Sequence, residues 1–239
     1  MKNFFSSRSL VAVVILAGCI VLTQDTIMSA QDAKPQNVFS SSPVLPEDLK
    51  RVVVLPLVCE KSQTDLSSGC EMLDPVLQVE LVKTKKFEVV SAGSEMLRSL
   101  TGQSGWTGAE VLPTNFFDSL QRAYGCDAVL FCQLTVFHAY APLAVGWRMK
   151  LVDAATKKII WAADLVFDAS DPAVAKSAEQ FQKQQQNTHG ETKSLLKNLA
   201  RVADRQPASA LDDQWGIFNS PRHFGQFAAE KLLQTLPER

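Results

Sequence analysis

Residues 126–168 constrain the fold more than any other stretch, because they read as three consecutive β-strands. Between Ala128 and Val136 the even positions Ala128, Leu130, Cys132, Leu134 and Val136 are apolar, and so are Val129 and Phe131 on the other side. A strand apolar on both faces needs cover on both. From Leu143 to Leu151 the odd positions Leu143, Val145, Trp147, Met149 and Leu151 are apolar while Arg148 and Lys150 point away, the period of two of a half-buried strand. Ile159, Trp161, Ala163, Leu165 and Phe167 repeat the pattern, with Asp164 and Asp168 opposite. The polar turn from Asp153 to Lys158 joins these two runs as an antiparallel hairpin.

The preceding chain supplies the other elements. Arg51 to Leu57 is a continuous apolar run, a buried strand with Pro56 near its end. After a polar loop at 60–69, Asp74-Pro75 reads as the N-cap and first turn of a helix that carries Val76, Leu77, Val79, Leu81 and Val82 and runs as far as Lys83. Lys83, Lys85 and Lys86 suit its C-terminal dipole. Phe87 to Ser91 is a short strand closing a right-handed parallel β-α-β crossover. Ser94 to Leu100 is helical, Gly102, Gly105 and Gly108 mark a loop around Trp106, and Thr114 to Tyr124 is an amphipathic helix stopped by Gly125. Residues 173–213, rich in Gln, Ala, Lys and Glu, read as two exposed helices jointed near Asn187 to Gly190. Ser220-Pro221 starts a last helix with Phe224, Phe227, Ala228, Leu232 and Leu236 on one side. The expected fold is a single three-layer α/β (α+β) domain with a mixed sheet, in the order β-α-β-(α)-α-β-β-β-α, its helices packed on the sheet. Its core spans 47–172, with an exposed, partly flexible insert at 173–213 and a docked C-terminal segment at 214–239.

The N-terminus indicates an address. Lys2 and Arg8 precede the apolar stretch Leu10 to Gly18, which is too short for a membrane-spanning helix and has the form of a signal peptide. It ends in Leu16-Ala17-Gly18-Cys19, which resembles a bacterial lipobox, so residues 1–19 read as a lipoprotein signal with Cys19 as the lipidated (palmitate-bearing) first residue of the mature chain. Conventional cleavage near Ala30 or Ala33 is the alternative and would give a soluble periplasmic protein. Asp, which in lipoproteins of diderm bacteria signals inner-membrane retention, does not follow Cys19, so the resemblance implies the periplasmic face of the outer membrane. Residues 20–46, polar and rich in Ser, Gln and Pro, read as a flexible tether reaching at most about 95 Å. With 24 Lys+Arg against 25 Asp+Glu and a net charge of −1, the chain lacks the basic footprint that nucleic acid demands.

Several phrases together resemble a known group. Arg51-Val52-Val53-Val54-Leu55-Pro56 at the front, Phe87-Glu88-Val89-Val90 closing the crossover, Gly125-Cys126-Asp127-Ala128 opening the central strand, and Leu151-Val152-Asp153 with Ile159-Ile160-Trp161 at the hairpin are similar to one α/β module. It is shared by CsgG-type curli secretion lipoproteins, LpoB-type activators of penicillin-binding proteins and the N-terminal domain of TolB. The resemblance covers roughly 51–167 and the last helix, and its motifs are structural, with no catalytic residue to carry over. It implies a non-enzymatic lipid-anchored adaptor or assembly factor in envelope biogenesis or export, with an envelope protein partner and no cofactor. The alternative is an oligomeric subunit of a CsgG-like secretion complex. A pore is disfavoured, because Tyr140-Ala141-Pro142 and residues 102–113 are too short to supply membrane strands of about 9–11 residues each.

Chemistry-bearing motifs are sparse. No nucleophile elbow, zinc-protease helix, phosphate loop or dinucleotide fingerprint occurs. His138, His189 and His223 stand apart in the sequence, suggest no metal site, and read as surface or capping residues. Asp164 and Asp168 on one strand face would be about 13 Å apart, outside either glycosidase spacing. Cys126 and Cys132 lie about 20 Å apart on an extended strand and cannot bond each other there. Cys59 and Cys70 bracket a polar loop and can form either a disulfide or two free thiols. Trp147 and Trp161 lie on apolar faces of neighbouring strands and could stack across the hairpin; they suit core packing, with a ligand-binding aromatic platform as the alternative. Trp106, Trp215 and Phe218 fall outside regular elements, which makes them candidate partner contacts; local packing beneath their loops is the alternative.

Overall fold

A central strand apolar on both faces requires helices on each side, and the chain provides them. In the computed structural model, residues 37–59, 64–200 and 216–239 are described, except for the side chains of Thr64 and 187–200. The chain divides into two units, Met1–Lys34 and Pro35–Arg239, and the described residues belong to the second. The elements in order are β1 (Val38–Ser40), β2 (Arg51–Val54), β3 (Val58–Cys59), α1 (Thr64–Thr84), β4 (Glu88–Ser91), α2 (Ser94–Thr101), α3 (Phe116–Tyr124), β5 (Ala128–His138), β6 (Ala144–Asp153), β7 (Ile159–Asp168), α4 (Pro172–Ala200) and α5 (Pro221–Leu233), the last preceded by a 3-10 turn at Ile217–Asn219.

The sheet runs β1-β7-β6-β5-β2-β4, with β3 also beside β5. It is mixed: β4, β2, β3 and β5 run parallel where they pair, and β5, β6, β7 and β1 run antiparallel. Two apolar clusters lie on its two faces. The even residues Ala128, Leu130, Cys132 and Leu134 of β5 join Val145, Trp147, Met149 and Leu151 of β6 and the inner faces of α1 and α5. Val129 and Phe131 join Val53, Leu55, Leu97, Phe116 and Leu120, the cover provided by α2 and α3. The alternation along one strand thus feeds both cores of a three-layer α/β domain. Gly125 ends α3 at φ 62°, its N–H donating to the Gln121 carbonyl, a left-handed cap that glycine adopts without a Cβ clash.

Several details differ from expectation. The tether does not extend to residue 46: Val38–Ser40 pairs with Trp161–Ala163 of β7, and Leu45 and Leu49 are buried. The C-terminal tail fixes this segment, with Leu45 N–H donating to Glu238 O at 2.7 Å and Glu238 N–H to Pro43 O at 3.1 Å. The run from Arg51 to Leu57 is not one strand. The register advances four residues from Val54 to Val58 against three from Leu130 to Gln133, so one residue bulges out around Pro56, which has no N–H to donate.

The first helix starts at Thr64, about three turns before Asp74-Pro75, and Pro75 lies inside it. Asp74 caps a strand connection instead, its Oδ1 accepting from the Leu57 N–H at 3.1 Å. The inward stripe of α1 is Leu66, Cys70, Leu73, Leu77 and Leu81, while Val79 and Val82 face outward and Glu80 is buried. In β7 a register shift turns Ile160 inward and leaves Ile159 largely exposed. Trp147 opposes Leu165 and Trp161 opposes Leu151, so both indoles are core residues at different levels rather than a stacked pair. The backbone of α4 runs unbroken through Asn187–Gly190, where a joint was expected, and Ala178 and Phe181 bury its first half against the core. Residues 20–36 and 201–215 lie outside the described residues.

Candidate functional site

The residues singled out from sequence do not converge on one place. Trp106 is buried beneath its glycine loop, 5.6 Å edge-on from Phe116, with Nε1 donating to Thr101 Oγ1 at 2.8 Å. Its loop is also fastened to the sheet, since Lys150 Nζ donates to the Gly108 carbonyl. Trp106 is therefore a core residue and not a contact surface. Phe218 is half-buried against the main core. Trp215 and Cys19 lie outside the described residues, as does the side chain of His189. Asp164 pairs with Arg148 across the hairpin at 2.7 Å, the solvated face expected of it. Asp168 accepts from the Ser170 N–H and hydroxyl, which hold its carboxyl below its ordinary value. His223 lies in the first turn of α5, where its N–H donates to the Ser220 cap.

The cysteines fall into two groups. All four in the described residues, Cys59 and Cys70 among them, are free thiols. Cys132, at the sheet centre, and Cys126, at the mouth of β5, are buried, and burial pushes both thiols up from their ordinary value. Among the described residues no group of three or more His, Cys, Asp or Glu is placed to hold a metal ion. No helix among them is long and apolar enough to cross a membrane.

One cleft brings charged groups together that sequence reasoning had not connected. It lies between the C-terminal ends of α1 and α5, has a volume of about 370 Å³, and is lined by Glu80, Lys83, Thr84, Lys86, Glu230, Leu233, Gln234 and Glu238. Glu80 forms its floor, only 4% exposed, with Oε1 accepting from Lys83 Nζ at 2.7 Å and Gln226 Nε2 at 2.8 Å. Burial, and the nearby Glu80 charge, push the Glu230 carboxyl above its ordinary value. Lys86 Nζ donates to the Leu236 and Pro237 carbonyls, both at 2.9 Å, and stands 3.6 Å from Glu238. The Thr84 hydroxyl donates to the Leu81 carbonyl. These groups hold one another and the C-terminal tail in place. Their sequence signal was faint: Glu80 interrupts an apolar run, and only the helix phase reveals that it points inward.

No family model and no curated protein matches the sequence. Solved structures with a similar arrangement include the PelC dodecamer from Paraburkholderia phytofirmans, 12% identical with a TM-score of 0.45, covering 85% of this chain and 96% of that one. The lipoprotein GNA1162 from Neisseria meningitidis is 20% identical with a TM-score of 0.33, over 49% of this chain and 79% of that one. The C-terminal domain of LpoB from Escherichia coli is 19% identical with a TM-score of 0.34, over 49% and 82%. At these values no residue's role passes from them to this chain.

Proposed function

We propose that this chain is an outer-membrane-anchored periplasmic lipoprotein acting as a non-enzymatic adaptor or assembly factor in the cell envelope. The observation that carries the reading is Leu16-Ala17-Gly18-Cys19, which closes the apolar stretch that begins at Leu10. A lipid on Cys19 would concentrate the folded unit at a surface, where an adaptor needs only a modest affinity for its partner. The dispersal of the candidate acids and histidines favours binding over catalysis: Asp164 is committed to Arg148, and Asp168 to Ser170. The outward Val79 and Val82 on α1, both more than half exposed, are the positions to test as a contact surface.

The test is intact-mass analysis and membrane fractionation of the wild type beside Cys19→Ala in a diderm host, followed by crosslinking from the membrane fraction. A mature chain beginning at a lipid-modified Cys19, found in the outer membrane and crosslinked to an envelope protein, is the expected result. Cleavage near Ala30 with a soluble product would overturn the anchored reading. Turnover of an envelope substrate by a homogeneous preparation would overturn the non-enzymatic one.

A further inference from the structure

Cys59 and Cys70 are brought together by the fold from two different elements. Cys59 ends β3, partly buried, and its Cα pairs with Leu134 of β5. Cys70 is buried on α1, directly after Gly69, where a Cβ would lie 2.6 Å from Phe137 Cγ and 2.9 Å from Leu134 Cδ2. Leu134 therefore anchors both: Cys59 is its neighbour along the sheet, and the residue before Cys70 is pressed against its side chain. Gly69 admits this approach because it has no side chain of its own, and any larger residue would lift the helix and its cysteine away. Both side chains belong to the same apolar cluster on that face of the sheet, close enough for each thiol to influence the other. Cys126 and Cys132 belong to the two separate cores on opposite faces of the sheet.

We propose that Cys59 and Cys70 are an oxidisable pair that closes to an intramolecular disulfide, with a small-molecule or protein disulfide as oxidant. The order of events follows from exposure. Burial, reinforced by the neighbouring Cys59, pushes the Cys70 thiol up, so the more accessible Cys59 is the first nucleophile. Cys59 releases its proton to solvent, its thiolate attacks one sulfur of the oxidant RSSR, and one RS⁻ leaves. Cys70 then gives up its proton and attacks the Cys59 sulfur, forming the protein S–S bond and expelling the second RS⁻. Two protein thiols are oxidised, and the oxidant is reduced to two RSH once the released protons are taken up. The product ties the end of β3 to the first turns of α1.

The test uses the full chain and oxidised glutathione, with remaining thiols alkylated under denaturing conditions before trypsin digestion. Cleavage after Arg51, Lys61 and Lys83 places Cys59 and Cys70 on separate peptides, 52–61 and 62–83, while Cys126 and Cys132 share the peptide 123–148. The expected product is a linked 52–61/62–83 species, two hydrogens lighter than its parts and lost on reduction, with Cys126 and Cys132 alkylated. In Cys70→Ser, Cys59 should instead stop as the glutathione adduct. The proposal is overturned if wild-type Cys59 is recovered only as that adduct beside an alkylated Cys70. Linkage of Cys59 to the 123–148 peptide, or full alkylation of both thiols, overturns it equally. The decisive reading comes from the wild type, so it does not depend on a variant folding.

Discussion

Trp106→Ala separates a buried anchor from a surface contact, and its magnitude can be worked from the packing. The indole is 4% exposed, meets Phe116 edge-on at 5.6 Å, and donates to Thr101 Oγ1. Truncating a buried aromatic to alanine removes the transfer energy of the ring and leaves a cavity, together about 3–5 kcal/mol. The edge-on ring pair, worth about 0.5–1.5 kcal/mol, lies within that total. Thr101 is not stranded by the change, because its hydroxyl also contacts the Leu97 and Gln103 carbonyls, so loss of the indole N–H adds little. For a folded unit of this size each kcal/mol moves Tm by roughly 2–4 °C, which puts the expected fall at roughly 6–20 °C. Urea and thermal unfolding followed by far-UV circular dichroism is the assay, since tryptophan fluorescence would change with the residue count itself. Trp106→Phe keeps most of the apolar contact and should recover more than half of the loss. A Trp106→Ala midpoint within about 0.5 kcal/mol of wild type, the range of ordinary surface substitutions, would refute the burial argument and return Trp106 to the surface.

Two further outcomes follow from the interface of α1 with α5. A Cβ on Gly225 would collide with the Leu73 side chain, so Gly225→Ala should destabilise by about 1–3 kcal/mol through overpacking, despite its gain in helix propensity, as read by urea midpoint. Glu230 has its carboxyl raised from an ordinary 4.5 by burial and by Glu80, so the folded state holds that proton more tightly than the unfolded chain. Its contribution to stability is complete below the ordinary value and is lost as pH rises through the folded one. Glu230→Gln should therefore flatten the decline in stability as pH rises above about 4.5; an unchanged slope in pH-dependent urea titrations would count against it.

What the sequence disclosed depended on the length and purity of each pattern. The ten or eleven residues of β5, β6 and β7 carry a period of two long enough to survive local exceptions, and Val129 with Phe131 announced the second core. β1 is three residues long, with Phe39 about half exposed, and has no such period; it forms because the outer edge of β7 offers unpaired backbone groups. Asp74-Pro75 carries the usual signal for a helix start, yet α1 begins earlier because its stripe from Leu66 to Leu81 has β3, β4, β5 and α5 to bury against. The phase of that stripe turned Val79 and Val82 outward and Glu80 inward, where Lys83 and Gln226 satisfy it. Residue type alone favoured the reverse. Gly69 and Gly225, small residues within helices, marked where α1 and α5 come closest to their neighbours, and were readable only as interruptions before the contacts were known.

The corrected start of the folded unit changes what an anchored chain can reach. Sequence composition placed the end of the tether at residue 46, but the backbone is held from Asn37 onward, where Asp164 N–H donates to the Asn37 carbonyl at 3.0 Å. Pro43 and Leu45 are fixed to Glu238, and Arg239 donates to the Leu49 carbonyl, so the segment after β1 adds no reach. Between Cys19 and Asn37 the covalent backbone can span no more than about 60 Å even when fully drawn out, instead of the about 95 Å allowed by the longer tether. If Cys19 carries the lipid, the start of the folded unit at Asn37 is confined to that distance from the membrane, and a partner can lie beyond it only by the width of the folded unit. A partner met at the opposite side of the envelope would have to bring its own extension across. Crosslinking from Val82 should therefore capture a protein seated at the same membrane as the anchor, and lengthening the chain between Cys19 and Asn37 should leave that capture intact.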